Sequence, residues 1–230
     1  MAQSTASAPL GSTLLVMGLL AQASSGQAES DHEFERRLES AALERTTHSV
    51  HYDGRYRRLD YPGGDVPDDV GVCTDVVIRA FRGVGIDLQE RVHEDMLAEF
   101  AAYPNRWGLQ RPDPNIDHRR VPNLQTFFTR AGESLPPSDR PEHYRRGDLV
   151  TWLLPGNLPH IGIVVSPQVD GVGNPMIVHN AGAGPRRQDV LFDYPITGHY
   201  RFFGQNPGLD SAVDSLGPIR DSGVRNARGR

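Results

Sequence analysis

The change of hydrophobic period at Gly147 constrains this chain more than any other feature. Upstream of it, apolar residues recur three and four positions apart, the spacing of an amphipathic helix. Residues 30–47 put Phe34, Leu38, Ala41 and Ala42 on one stripe, and 72–84 do the same with Cys73, Val77, Ala80 and Phe81. Residues 88–100 align Leu88, Val92, Met96, Leu97 and Phe100, and 121–131 turn Leu124, Phe127 and Phe128 inward. Downstream, 149–154, 160–166, 175–179 and 199–203 are short β-rich runs separated by Gly, Pro and Asn, and they read as strands. Helices followed by consecutive strands predict an α+β fold, with N-terminal helices packed on an antiparallel β-sheet rather than alternating βαβ units.

The 230 residues suffice for one domain and its tails. We place the domain at 51–204. An amphipathic helix over 29–50 precedes it. A polar, Gly/Ser/Arg-rich tail at 205–230 follows, with no apolar face, and is expected to be disordered. Residues 9–21 (PLGSTLLVMGLLA) form an apolar run with the length of an export-signal core, too short to span a bilayer. Small residues follow it, so 1–28 reads as a signal peptide cleaved after Ala23 or Ala28, although no Lys or Arg precedes the run. The expected location is periplasmic or secreted, with no stable membrane anchor. The net charge of −5 is mild and spread along the chain, which gives no electrostatic reason to expect nucleic acid.

One cysteine among the 230 residues excludes an internal disulfide and a cysteine-based zinc cluster. Cys73 sits in Asp-Asp-Val-Gly-Val-Cys-Thr-Asp (68–75), where the helical period begins. A thiol at a helix N-terminus feels the positive end of the helix dipole and unpaired backbone N–H groups, both of which favour the thiolate. The same groups can stabilise an oxyanion. Gly71, just upstream, would let substrate approach the backbone. Cys73 is therefore the candidate nucleophile. The alternative is an inert, buried cysteine.

A nucleophilic thiol needs a base. His160 opens the apolar run Ile161-Gly162-Ile163-Val164-Val165, where a polar ring is unexpected without a partner. His179 ends the next run and could orient that imidazole, or simply bond to backbone. His199 reads as structural. Zinc held by three strand histidines is the weaker alternative, because the spacing matches no familiar zinc motif. Asp113-x-Asn115-x-Asp117 imitates a calcium loop but has His118 and Leu124 where glycine and glutamate are needed. No metal or other cofactor is expected. The long loop 103–122 carries Trp107, Asp117, His118 and Arg119, which we take with Asp75 as candidate substrate-binding residues.

Several strings occur together and in order: Gly-Val-Cys-Thr-Asp at 71–75, Arg-Pro-Asp-Pro-Asn-Ile-Asp-His-Arg-Arg-Val-Pro-Asn at 111–123, Gly-Asp-Leu-Val at 147–150, His-Ile-Gly-Ile-Val at 160–164 and Ile-Thr-Gly-His-Tyr-Arg at 196–201. On these the stretch from Tyr52 to Gly204 resembles the bacterial family known as domain of unknown function 1287. That family is in turn similar to the NlpC-type papain-like cell-wall peptidases. The resemblance implies a papain-like (NlpC-type) fold, with Cys73 as nucleophile, His160 as general base and His179 as the residue that orients it. The chain departs from those peptidases in having Val72 before the cysteine, where they usually have Asp, and in the long 103–122 loop. The expectation is a cysteine peptidase or amidase acting on peptide or peptidoglycan-like substrate, as a monomer. A papain-like acyltransferase and a non-catalytic binder of cell-wall peptides are the alternatives.

Overall fold

A computed structural model of the chain describes residues 31–166 and 173–204. The expected signal peptide at 1–28 and the tail at 205–230 lie outside the described residues. Helix α1 (31–45) buries Leu38 and Ala42 completely. Helix α2 (Cys73–Gly83) begins where the Asp75 carboxylate turns back to accept the Val72 N–H at 2.6 Å, which satisfies one of the orphan donors of a helix start. Helix α3 (Leu88–Ala98) is capped by Asp87, whose side chain accepts from Gln89 N at 3.0 Å. Helix α4 (Val121–Ala131) carries Pro122 in its first turn, where a missing N–H does no harm. The stripe expected on α3 holds for Leu88, Val92 and Met96. It fails at Leu97, which is 64% exposed, because the helix ends at Ala98 and a 3₁₀ turn at Phe100–Ala102 redirects the chain.

The remaining elements are strands: β1 (His51–Tyr52), β2 (Val70–Gly71), β3 (Glu133–Leu135), β4 (Leu149–Leu154), β5 (Leu158–Val165), β6 (Met176–His179), β7 (Arg186–Gln188) and β8 (Ile196–Arg201). The last six form an antiparallel sheet in the order β3-β8-β4-β5-β6-β7, while β1 and β2 pair in parallel as a separate ribbon. The period-2 alternation gives β5 two faces. Ile161, Ile163 and Val165 join the helices in the main core, with Cys73, Val77, Phe81, Phe127 and Phe128. Val164 points the other way, into a smaller cluster with Val150, Trp152, Ile177 and Leu191. That second layer is closed by the Trp152 indole, whose Nε1–H donates to Leu191 O at 2.9 Å. The architecture is α+β with helices packed on an antiparallel sheet. No helix among the described residues is long and apolar enough to cross a membrane.

His199 has the structural setting its sequence context suggested. It stacks on Tyr144 at 4.3 Å between centroids and bonds through Nε2 to Asp148 Oδ2 at 2.7 Å. Asp148 is fully buried and also receives two hydrogen bonds from Arg201. A buried carboxylate is tolerated only with such partners. The Gly-Asp-Leu-Val string therefore anchors β4 to β8.

Candidate active site

Cys73 follows β2 directly and meets the sheet at an open edge. Val164 donates its N–H to Asp148 O at 2.8 Å and accepts from Gly147 N at 2.8 Å, so the even-numbered β5 residues bond toward β4. By alternation Ile161 points its N–H to the other side, toward β6. But β6 pairs with β5 only from Ile163↔Val178 to Val165↔Met176. Next to Ile161 the ladder has stopped, and the start of α2 brings the Cys73 thiol close to the Ile161 N–H, which opposes the rise in its pKa. Asn180, just past the end of β6, donates Nδ2 to Gly71 O at 3.5 Å. The β2–α2 junction is thus fastened where the next rung of β6 would otherwise lie.

His160 precedes Ile161 and stands across from Trp152 in the β4–β5 register. Its Nε2 is 2.8 Å from His179 Nδ1, and His179 Nε2 is 3.0 Å from Gln188 Oε1 on β7. With the amide oxygen of Gln188 accepting, His179 carries its proton on Nε2, and its Nδ1 accepts the Nε2 proton of His160. The assignment leaves His160 Nδ1 as a basic nitrogen. Gly162 makes this chain possible. A Cβ there would stand 2.6 Å from Ile177 Cγ2 and 3.1 Å from His179 Cβ, so only glycine lets β6 bring His179 against His160.

The electrostatics differ from the sequence expectation in one respect. The helix start was expected to favour a thiolate, yet the thiol is 4% exposed and burial pushes its pKa up to about 11. The Asp75 carboxylate adds to this rise, against the backbone N–H groups of Ile161 and Thr74 and the Tyr52 hydroxyl. Burial likewise drives His160 down to about 3, with neighbouring His179 contributing. His179 is also lowered by burial, with Gln188 opposing. Desolvation of the charged forms outweighs the dipole effect, so burial favours the neutral thiol of Cys73 and the neutral imidazole of His160.

The other sequence candidates are placed differently. Asp75 and Arg119 form a buried bidentate pair at 2.8 and 2.9 Å. Arg119 also reaches the carbonyls of Asp53 and Arg55. This pair pins the 103–122 loop to the first turn of α2, and Thr74 adds a hydroxyl bond to Arg119 O at 3.2 Å. Asp117 is 1% exposed and holds the loop through Asp113 N and Arg120. His118 is 2% exposed, with burial taking its pKa down to about 3. These four side chains are spent on the interior, a placement that their charge and loop context did not reveal. Trp107 alone of the five is on the surface, with Arg120 stacked 3.9 Å from its ring centroid. Gly71 serves the cap rather than a substrate: a Cβ there would meet Asp75 Cβ at 3.2 Å.

Two residues of the site escaped the sequence reading. Tyr52, on β1, brings its hydroxyl close enough to Cys73 for each group to shift the other's pKa. Its pKa is pushed up to about 12 by burial of the hydroxyl and by the adjacent thiol, so it stays a hydrogen-bond donor. Gln188 extends the imidazole chain from the exposed β7. Neither has a local signal, because a two-residue strand shows no period and Gln188 lies in a polar run. The parallel ribbon brings Tyr52 beside Gly71.

Comparison with known proteins identifies the family. The model for the domain of unknown function DUF1287 matches residues 39–202, and the chain belongs to that family. A curated relative from Escherichia coli (strain K12), "Uncharacterized protein YijF", is 54% identical over 155 residues, covering 67% of this chain and 75% of its own.

Proposed function

We propose that this protein is an exported papain-like cysteine hydrolase of the NlpC type that cleaves an amide bond, with cell-wall peptides as substrate. The observation that carries this reading is the meeting of three parts at one sheet edge. The thiol of Cys73 opens α2 in the cluster that holds Ile161, the adjacent His160 starts the imidazole chain to His179 and Gln188, and Tyr52 lies beside the thiol. Nucleophile, base, orienter and oxyanion donor are the parts that acyl chemistry requires.

The neutral resting pair determines how the reaction begins. Cys73 and His160 share no hydrogen bond at rest, so a water carries the thiol proton to His160 Nδ1 while the sulfur attacks the substrate carbonyl carbon, and charge separates only when the C–S bond forms. The oxyanion is received by the Tyr52 O–H and the Cys73 N–H. Collapse breaks the C–N bond, and the leaving nitrogen takes the proton from His160. Water, deprotonated by the same ring, then cleaves the thioester and returns the thiol. His179, held by Gln188, keeps His160 Nε2 protonated and its Nδ1 basic.

The experiment is incubation of the protein with peptidoglycan-derived peptides, with the products identified by mass spectrometry. New amine and carboxyl termini are expected with the native chain, and none with a folded Cys73→Ala variant. Equal cleavage by that variant would remove the reading. The depth of the thiol favours one other reading, a cell-wall peptide-binding domain without turnover. It predicts retention of intact peptides by native protein and the Cys73→Ala variant alike.

A further inference from the structure

The 103–122 loop, pinned from behind by Arg119, encloses a pocket of about 240 Å³ on its outer side. Phe100, Tyr103, Trp107, Leu109, Arg120 and Asn123 are among its lining residues. Its charges already cancel: Arg120 Nη1 is 2.9 Å from Asp117 Oδ1 and its guanidinium lies on Trp107. The pocket therefore offers no net field for an ion, and a charged ligand would be desolvated without compensation. Asn123 is the exception to this self-sufficiency. It is 1% exposed, and its amide donates Nδ2 to Asp117 O at 3.1 Å. Because a carbonyl can only accept, that bond fixes which amide atom is nitrogen. The opposite atom, Oδ1, is buried with no hydrogen-bond partner among the described residues. A buried acceptor left open calls for an explanation, and a ligand N–H supplies one.

We propose that this pocket binds a neutral secondary amide, its N–H donated to Asn123 Oδ1 and its apolar flank lying against Phe100, Leu109 and Trp107. The volume falls below the usual range for ligand sites, roughly 300–1,000 Å³, so the occupant is one acylated amino group with its immediate surroundings. Two sources carry that group, an N-acetylated sugar and a peptide backbone. A role for the pocket in holding substrate rests on the hydrolase reading above, whereas the binding itself does not involve the thiol.

The test is calorimetric titration of the full chain with N-acetylglucosamine and, separately, with N-acetylalanine N-methylamide, each alongside an ester analogue in which oxygen replaces the amide nitrogen. Millimolar or tighter binding of at least one amide is expected. Its ester should bind about tenfold more weakly, the factor that about 1.4 kcal/mol produces, and Trp107→Ala should remove binding without unfolding the chain. Which amide binds identifies the source. Equal affinity for amide and ester, or no binding of either amide, overturns the proposal. Full binding to a Cys73→Ala variant that cleaves nothing keeps this test separate from that of the hydrolase.

Discussion

Replacing Arg119 with methionine is the perturbation whose size follows most directly from the structure. The guanidinium and the Asp75 carboxylate are 2% and 3% exposed and meet at 2.8 Å. Methionine fills much of the same volume but strands the carboxylate. Stranding one member of a buried pair costs about 3–5 kcal/mol. Asp75 keeps its bond from the Val72 N–H, which places the expected loss near the lower end, about 3 kcal/mol. For a domain of this size that corresponds to a melting temperature lower by roughly 6–12 °C. Urea denaturation followed by circular dichroism measures the loss. Asp75→Asn added to Arg119→Met removes the stranded charge, so the double variant should be more stable than the two single losses combined. A loss under about 1 kcal/mol for Arg119→Met, typical of an exposed pair, would refute the claim that this bridge holds the helix start. So would strict additivity in the double variant.

Further expectations concern the imidazole chain and the thiol. Gly162→Ala drives a methyl into Ile177 and His179 and should cost about 1–3 kcal/mol; an unchanged denaturation midpoint would show that β6 can yield there. His160 and His118, both held near 3 by burial, and His179, also lowered, are imidazoles whose ordinary value is 6.5. Their unfolded forms bind more protons below that value, so stability should be intact above pH 6.5 and fall as the pH drops toward 3. Each of these buried rings contributes up to about 1.4 kcal/mol per pH unit, and denaturation midpoints that do not change between neutral and mildly acid pH would contradict their burial. Alkylation of Cys73 by iodoacetamide follows the thiolate and should still be climbing as the pH approaches 11. A plateau from mildly acid pH upward would instead reveal a preformed thiolate–imidazolium pair.

The long elements of the fold were legible because each repeats its period several times. The stripes of α2 and α4 and the runs of β4, β5 and β6 report local geometry that a sequence carries openly. The two-residue strands β1 and β2 have no period to show, and β7, Arg186–Gln188, is a polar edge. Tyr52 and Gln188 were missed for that reason, since both enter the site only through pairing. Asp75 and Arg119, 44 residues apart, looked like groove residues because charge in a loop does not announce its partner. The thiolate expectation turns on a similar distinction, because burial raises the Cys73 thiol against the helix start. The helix start is a local feature, whereas the burial that raises the thiol comes from the sheet edge packed over it.

Rapid quenching of a reaction with a cell-wall peptide, followed by intact-protein mass spectrometry, tests the central claim most directly. The account predicts a transient adduct with the mass of the acyl fragment, mapped to Cys73. The adduct should be absent from Cys73→Ala and should build up only slowly in His160→Ala. Cleavage of the peptide with no adduct at Cys73, or at full rate without His160, would contradict it.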